Sequence, residues 1–248
     1  MQIVIEKRST QELIALHELY RQEANCQLVR DSYWPRGFLD AYAIEIDGRL
    51  AGYGAVANKH YPGTLIEFYT FPDRRRHALR IFRELLTVSA ASHIQAQTNV
   101  PLMLMMLIEC AADIHAENVL FADAFTTNFP CPEEGIFRHR KDSNELPIFE
   151  HRHEPEGDWL IEAGGEIVAT GGFLSHYNPP YADLFMEVVE SRRQRGFGIY
   201  LIQELKRACY ASGKLPAARS GVTNLASRNT LEKAGLLACG HVVVGSVK

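Results

Sequence analysis

The pattern of apolar and polar residues along the chain predicts alternating strands and helices. Apolar and polar residues alternate over Gln2–Glu6, which predicts a strand. Ser9 follows, and Glu12 stands three residues after it, a spacing typical of a capping box at the start of a helix. The predicted helix buries one apolar stripe, made of Leu13, Leu16, Leu19 and Tyr20.

Further strands and a second helix are predicted in the rest of the first half. Asp47-Gly48 is a two-residue turn typical of a β-hairpin. The predicted strands are 41–46, 49–57, 64–71 and 119–125, and the predicted helix is 74–91, with Leu79, Phe82, Leu85 and Leu86 facing inward. The apolar run 101–108 fits either a buried strand or a helix, because its periodicity does not decide between them.

The second half of the chain repeats the middle of the first half. A second predicted hairpin covers 159–174, and its turn residue Gly165 stands 117 positions after Gly48. Arg193 stands 118 positions after Arg75, and a predicted helix follows each arginine. Offsets this constant indicate an internal duplication. The alternative is two unrelated α+β segments, since hairpins of this kind are common.

A polar stretch separates the two copies. Residues 130–155 are rich in charged residues, proline and histidine. We therefore predict a domain at 1–135, a linker at 136–155 and a second domain at 156–248. His139, His151 and His153 fall in the linker, but no acidic or cysteine partner stands at metal-ligand spacing, so we predict no metal site.

One segment of the second copy carries a candidate binding motif. An apolar strand leads into Arg193-Gln194-Arg195-Gly196-Phe197-Gly198, and a strongly periodic helix follows. Two glycines at a helix start let successive backbone N–H groups point into one concavity, where the helix dipole favours an anion. The segment therefore predicts a phosphate-binding loop.

Other phosphate motifs do not fit the same segment. A P-loop needs Gly-Lys followed by Ser or Thr, and a dinucleotide-binding fingerprint needs a third glycine where Leu201 stands. In the first copy, Ala78 and Arg80 occupy the positions of the two glycines. Neither residue adopts positive φ easily, so we expect only the second copy to keep the phosphate cradle.

The loop and a downstream segment resemble the cofactor site of the GNAT superfamily of acyl-CoA-dependent N-acyltransferases. The downstream segment runs from Asn224-Leu225-Ala226-Ser227 to Leu231-Glu232-Lys233-Ala234-Gly235-Leu236, with Gly235 as a helix C-cap. The resemblance covers about residues 158–246 and reaches the first half as a degenerate copy. It implies an α+β fold with two GNAT-like mixed-sheet domains flanked by helices, and acetyl-CoA as co-substrate.

The resemblance also implies which residues hold the cofactor. Backbone groups of a splayed central strand would pair with pantetheine, and Val188 and Val189 take that position. The pyrophosphate would be held by backbone amides of Arg193, Gln194, Arg195, Gly196, Phe197, Gly198 and Ile199. Asn224 and Ser227 would contact the cofactor arm, and helix capping is their alternative role.

Glu187 is the candidate general base for direct attack of an amine on the thioester. An alkyl amine is almost fully protonated at pH 7, so a base assists the attack. An ion pair with a nearby arginine is the alternative role of Glu187, and Asp183 and His176 are the alternative bases.

Leu231 stands where many family members carry a tyrosine as general acid. Positioning of the reactants supplies about 7–11 kcal/mol, whereas one general acid supplies about 3–5 kcal/mol. We therefore expect acyl transfer to survive, with water or the Tyr200 hydroxyl as proton donor.

Composition and charge limit which partners and which cellular compartment we expect. The net charge of −4 does not attract nucleic acid or anionic membrane, and the longest apolar run, Val100–Ile108, is too short to span a bilayer. No signal peptide is evident, and five scattered cysteines are typical of free thiols in the cytoplasm.

The sequence thus predicts a cytoplasmic acetyl-CoA-dependent N-acetyltransferase. Its acceptor is a small-molecule or peptide amine, with no nucleic acid and no membrane as partner. Only eleven residues separate Pro147 from Trp159, too few for the helices of an acceptor groove, so we expect the acceptor to bind between the two halves. The alternative function is a non-catalytic acyl-CoA-binding sensor or interaction module. The acceptor, the acyl chain length and the oligomeric state are not determined by the sequence.

Overall fold

The chain folds into two compact units. The computed structural model describes residues 1–24, 33–142, 145, 157–175 and 178–248. The first unit consists of residues 1–118 and 240–248, and the second consists of residues 119–239. Both are α+β units built on mixed sheets, as the sequence predicts.

The elements of the first copy are β1 (Ile3–Arg8), α1 (Thr10–Glu23), β2 (Leu39–Ile46), β3 (Arg49–Ala57), β4 (Thr64–Thr70), α2 (Ala78–Ser89), β5 (His93–Gln97), α3 (Pro101–Cys110) and β6 (Ala111–Asp123). The elements of the second copy are β7 (Ile136–His139), β8 (Trp159–Ala163), β9 (Glu166–Leu174), β10 (Tyr181–Val188), α4 (Phe197–Ala211), β11 (Leu215–Gly221), α5 (Leu225–Lys233) and β12 (Leu236–Val247).

The order of elements confirms the internal duplication. In the first copy, the sequence β2, β3, β4, α2, β5, α3, β6 contains a short 3-10 helix between β4 and α2. The second copy repeats it as β8, β9, β10, α4, β11, α5, β12, again with a 3-10 helix before the long helix.

The sheet of the first unit has the order β1-β2-β3-β4-β5, and the last part of β12 continues it. The pair β4–β5 is parallel, and the other pairs are antiparallel. The sheet of the second unit has the order β11-β10-β9-β8-β7, with β6 beside β11. In it, β10–β11 is the parallel pair, and α4 packs against β9 and β10.

The division of the structure differs from the predicted domain boundaries. Residues 136–139, expected in a linker, form β7 and pair with β8 in the second unit. Residues 240–248, expected in the second domain, belong to the first unit, because Val242–Ser246 pair with β5. The polar composition of 130–142 is misleading because β7 is the edge strand of its sheet and keeps side chains exposed.

The capping box predicted from the sequence is present at the start of α1. The Ser9 hydroxyl accepts a hydrogen bond from the Glu12 amide at 3.3 Å, and the Glu12 carboxylate accepts one from the Ser9 amide at 3.0 Å. Leu13, Leu16 and Tyr20 are buried, but Leu19 is 38% exposed, so its predicted burial is wrong. Leu19 lies at the margin of the stripe, where the helix surface turns toward solvent.

The structure redefines the bounds of two predicted segments and decides the form of a third. The predicted helix 74–91 is a 3-10 helix over Pro72–His77 followed by α2. The run 101–108 is helix α3, and Pro101 stands at its first turn, where the missing N–H costs nothing. The predicted strand 119–125 is the end of the longer strand β6.

A polar cluster is buried between α1 and the sheet of the first unit. Glu67 of β4 accepts a hydrogen bond from the Tyr53 hydroxyl at 2.8 Å, and its Oε2 lies 3.2 Å from His17 Nδ1 of α1. The Trp34 ring donates to the same carboxylate and stacks on His17. Buried polar groups need such partners, so the cluster fixes α1 on this face of the sheet.

Two further structural facts bear on partners. None of the described helices combines the length and the apolar character that crossing a membrane requires. The described residues contain no group of histidine, cysteine, aspartate and glutamate side chains placed to hold a metal ion. His139 packs on the Trp159 ring, whereas His151 and His153 lie outside the described residues.

Lys206 of α4 fixes the end of α5 in the second unit. Its side chain is 2% exposed, and its Nζ lies 2.8 Å from Asp123 Oδ1. The same nitrogen donates to the carbonyl oxygens of Phe125, Ala234 and Gly235 at 2.6, 3.1 and 3.2 Å. A buried cation with four oxygen partners joins β6, α4 and α5.

We predict that Lys206→Met lowers the free energy of unfolding by roughly 3 kcal/mol, because removal of one partner leaves the Asp123 carboxylate uncompensated. The value lies at the low end for a buried pair because Asp123 is 24% exposed and accepts a second hydrogen bond from Tyr210. Urea denaturation followed by circular dichroism measures the change. Lys233→Met removes an exposed lysine from α5 and serves as control; an equal loss in both variants contradicts the prediction.

Candidate functional site

Strands β10 and β11 part in the middle of the second unit. Their parallel pairing runs from Tyr181↔Leu215 to Leu184↔Ala218, where the recorded pairs of these two described strands end. On its other side β10 stays paired with β9 as far as Val188↔Ala169. The last four residues of β10 therefore pair with β9 but not with β11. The resemblance implies such an arrangement for a splayed strand.

The structure distinguishes the two valines predicted to face the cofactor. The Val189 amide donates to the Val168 carbonyl at 3.0 Å, and the Val189 carbonyl accepts from the Arg192 amide at 2.9 Å. Both backbone groups of Val189 are therefore engaged within the protein. Because neighbouring strand residues present backbone groups to opposite edges, Val188 faces the side away from β9. On that side the Val188 carbonyl accepts a hydrogen bond from Arg193 Nε at 3.2 Å. Pairing of either valine with a ligand stays a prediction.

The loop after β10 turns into α4 through a left-handed glycine. Gly196 is the N-cap of α4 with φ +94°, and Gln194 also has positive φ, +63°. The first intrahelical bond recorded at this end runs from the Tyr200 amide to the Gly196 carbonyl at 3.1 Å. The amides at the first positions of a helix have no intrahelical acceptor, and no side chain of the described residues caps those of α4. They are available to an anion.

Gly198 lets the start of α4 lie close to its neighbours. A Cβ at this position would stand 3.2 Å from the Met186 sulfur on β10 and 3.2 Å from Thr230 Cγ2 on α5. The second glycine of the motif thus has a packing role, whereas Gly196 has a conformational one.

The arginines of the loop contact carboxylates that the sequence motif does not reveal. Arg192 and Arg195 donate to opposite oxygens of Glu133, at 2.7 and 3.1 Å. Arg192 also contacts Glu166 at 3.0 Å, and Arg193 Nε donates to the Val188 carbonyl at 3.2 Å. Glu133 precedes these arginines by 59 and 62 positions, so no local signal in the sequence could have indicated the pairs.

Asn224 and Ser227 lie at the start of α5. The Asn224 Oδ1 accepts a hydrogen bond from the Ser227 amide at 3.1 Å, which makes Asn224 the N-cap of the helix. Asn224 therefore caps the helix, which is the alternative role that the sequence allowed for it. Gly235 follows the helix with φ +87°, as expected for a C-terminal glycine.

The candidate bases lie on β10 and near it. Glu187 is partly buried and pairs across the strands with Thr170. Strand alternation turns Glu187 to the face opposite Met186, whose side chain lies beside Gly198 at the start of α4. The carboxylate of Asp183 forms an ion pair with Arg219 at 3.1 Å, which makes it the weaker candidate. His176 lies outside the described residues.

Two family models match the chain in tandem. An acetyltransferase (GNAT) family model matches residues 119–236, and an acetyltransferase (GNAT) domain model matches residues 11–124. The chain belongs to the GNAT superfamily. The comparison with curated proteins found no match.

Solved structures share the fold over the whole chain. An acetyltransferase of the GNAT family from Colwellia psychrerythraea is 16% identical with a TM-score of 0.80, and the alignment covers all of both chains. A tandem GNAT protein from the clavulanic acid biosynthesis pathway is 12% identical with a TM-score of 0.63, over 99% of this chain and 98% of that one. A GCN5-related N-acetyltransferase from Sphaerobacter thermophilus is 14% identical with a TM-score of 0.60, over 98% of this chain and 95% of that one.

The two GNAT copies differ at the loop. In the first copy, Ala78 is buried at φ −53° and ψ −45°, which is right-handed helical geometry. The 3-10 helix therefore runs directly into α2, without the left-handed turn that exposes the amides in the second copy. The glycine loop is a property of the second unit.

Leu231 departs from the common GNAT pattern and is part of the core. It is 3% exposed and packs in the same apolar cluster as Phe197 and Leu201. Tyr200, the alternative proton donor, is partly buried on α4, and this burial together with Glu204 raises its phenol pKa. Tyr200 therefore keeps its proton at neutral pH.

We predict that Gly196→Ala weakens CoA binding at least tenfold. Alanine at φ +94° is strained by about 1–2 kcal/mol, and relief of that strain would turn the amides away from their common direction. Isothermal titration calorimetry with CoA measures the affinity, and thermal unfolding measures the cost to stability.

Gly213→Ala is the matched control. Gly213 has φ +73° and open space around it, at the other end of α4. Gly196→Ala should lose at least as much stability as Gly213→Ala, because its added Cβ would also stand 3.3 Å from the Pro132 ring. Only Gly196→Ala should lose affinity. Equal affinities in the two variants would exclude the left-handed turn as the determinant of binding.

Proposed function

We propose that the protein is an N-acetyltransferase that transfers the acetyl group of acetyl-CoA to an amine by direct attack. One observation carries this proposal. The second unit combines a strand that parts from its neighbour after Leu184 with a helix whose first amides are uncapped beyond Gly196. The unpaired strand edge suits the amide-rich pantetheine arm, and the helix start suits the pyrophosphate.

The residues of the loop fit this cofactor. We assign the pyrophosphate to the backbone amides of residues 194–199. The Arg193 amide, also expected to take part, donates to the Glu190 carbonyl at 3.2 Å and is engaged within the protein. Gly198 leaves no side chain at the start of α4. Arg192, Arg193 and Arg195 supply positive charge, and Val188 supplies backbone groups on the open edge of β10. When bound, acetyl-CoA supplies an activated thioester.

Glu187 acts as general base in the proposed reaction. Its carboxylate takes a proton from the amine, directly or through water, as the nitrogen forms a bond to the thioester carbonyl carbon. The carbon–sulfur bond then breaks, and the thiolate takes a proton from water or from the Tyr200 hydroxyl. Because Leu231 has no proton to give, the reaction depends on positioning and on the low basicity of a thiolate.

The proposed compartment is the cytoplasm. The described cysteines, Cys110, Cys131, Cys209 and Cys239, form no disulfide with one another, which is the state favoured by a reducing environment.

A second candidate function is favoured by one observation. Leu231 is fixed in the core where many family members carry the acid, so the second unit could bind acyl-CoA as a sensor without catalysing transfer. Release of free thiol from acetyl-CoA across a panel of amines distinguishes the two. A thermal shift with acetyl-CoA but no thiol with any amine would leave the sensor as the function.

For an enzyme, we predict that Glu187→Gln lowers kcat by about 10²–10⁴-fold and leaves the Kd of acetyl-CoA within twofold. The loss follows from removal of the base, whereas the amides that hold the cofactor are unchanged. Glu232→Gln, an exposed charge on α5, is the control and should retain the wild-type kcat. Catalysis that survives in Glu187→Gln at the wild-type rate would rule out Glu187 as the base.

A further inference from the structure

A short acidic segment lies against the phosphate loop within the second unit. This segment, Cys131–Gly135, contains a 3-10 helix over Pro132–Glu134. The two oxygens of the Glu133 carboxylate are divided between two arginines of the loop: Oε2 with Arg192 Nη1 and Oε1 with Arg195 Nη1. One carboxylate thus bridges both guanidinium groups, a geometry that a phosphate group also provides.

The acidic segment is fixed at both ends by close packing. A Cβ on Gly135 would stand 2.8 Å from the Cys131 sulfur and 3.2 Å from the Glu162 carbonyl oxygen, so Gly135 is held against β8. The Pro132 ring stands 3.3 Å from the position that a Cβ on Gly196 would take. The acidic segment therefore lies beside Gly196, the glycine that forms the left-handed turn before α4.

The bridging carboxylate is carried by strained backbone. Glu133 and Glu134 both have φ +53°, in the left-handed region that side chains with a Cβ rarely adopt. Two adjacent non-glycine residues in this region cost of order 1–3 kcal/mol each. Glu134 also has φ +53° and is also exposed, but it forms no ion pair with an arginine among the described residues.

The ion pairs neutralise the loop and can still exchange. Arg192 contacts both Glu133 and Glu166, and Arg195 contacts Glu133. The side chains of Glu133 and Arg195 are 38% and 53% exposed, so water screens their attraction. An incoming phosphate with greater negative charge competes favourably for the same guanidinium groups.

We propose that Glu133 is an internal counter-ion of the phosphate loop, which the phosphates of acyl-CoA displace on binding. The inference rests on the proposed function and adds a determinant of cofactor affinity to it. Before binding, Glu133 holds Arg192 and Arg195 together beside the loop. After binding, its charge stays near the phosphates and lowers their affinity, which favours release of the CoA product.

The test compares Glu133→Gln with Glu134→Gln by isothermal titration calorimetry. Glutamine has the shape of glutamate, so both variants keep the backbone and lose one charge in adjacent positions. We expect Glu133→Gln to bind CoA three- to tenfold more tightly than wild type at low salt and within twofold of it at 0.5 M NaCl, because salt screens the repulsion. Glu134→Gln should stay within twofold of wild type throughout.

Ligands that contain only one part of the cofactor show whether Glu133 acts on the phosphates or on the pantetheine arm. Inorganic pyrophosphate should reproduce the preference for Glu133→Gln, and pantetheine, which has no phosphate, should show none. Unchanged or weaker CoA and pyrophosphate binding by Glu133→Gln overturns the inference, and so does an equal gain in both variants.

The same titrations distinguish a failure of the proposed function from a failure of the Glu133 proposal. If the wild-type protein binds no CoA, the proposed function is overturned, and the pyrophosphate titration still decides whether Glu133 opposes phosphate binding. If neither ligand binds to wild type or to Glu133→Gln, both are overturned.

Discussion

The left-handed turn at Gly196 is the constraint on which the candidate site depends. A strand that runs directly into a helix normally leaves the first amides of the helix to a side-chain cap. Here φ of +94° takes the place of a cap and directs the uncapped amides of α4 beyond the end of β10. The first copy illustrates the alternative: Ala78 adopts right-handed geometry, and its 3-10 helix continues into α2. One backbone conformation therefore separates the glycine loop of the second copy from the continuous helical connection of the first.

The parting of β10 and β11 is the second requirement, and it conflicts with ordinary sheet formation. Pairing that stops at Leu184 leaves backbone groups of β10 without a strand partner along one edge. Such groups are normally satisfied within a sheet, so the open edge disfavours folding unless water or a ligand completes it. The extensive β9 pairing and the buried Lys206 contacts hold the rest of the second unit together around this opening.

The two copies have diverged on the face of the sheet opposite their long helix. In the first unit, α1 covers this face and buries Glu67 with Tyr53 and His17. In the second unit, β10 carries Phe185 and Glu187 at this face, and both are partly exposed. The same fold thus supports a closed, hydrogen-bonded face in one copy and a face with an accessible carboxylate in the other.

The sequence by itself determined most of the elements, the capping box, the hairpins, the duplication and the position of the glycine loop, because each depends on local periodicity, turn chemistry or glycine spacing. It left 101–108 undecided between strand and helix and did not indicate β7. Only the tertiary structure decided that residues 240–248 belong to the first unit and that Val189 is engaged with Val168. It alone revealed that Glu133 neutralises Arg192 and Arg195. These features depend on contacts between residues far apart in the chain, and for such contacts periodicity and composition carry no signal.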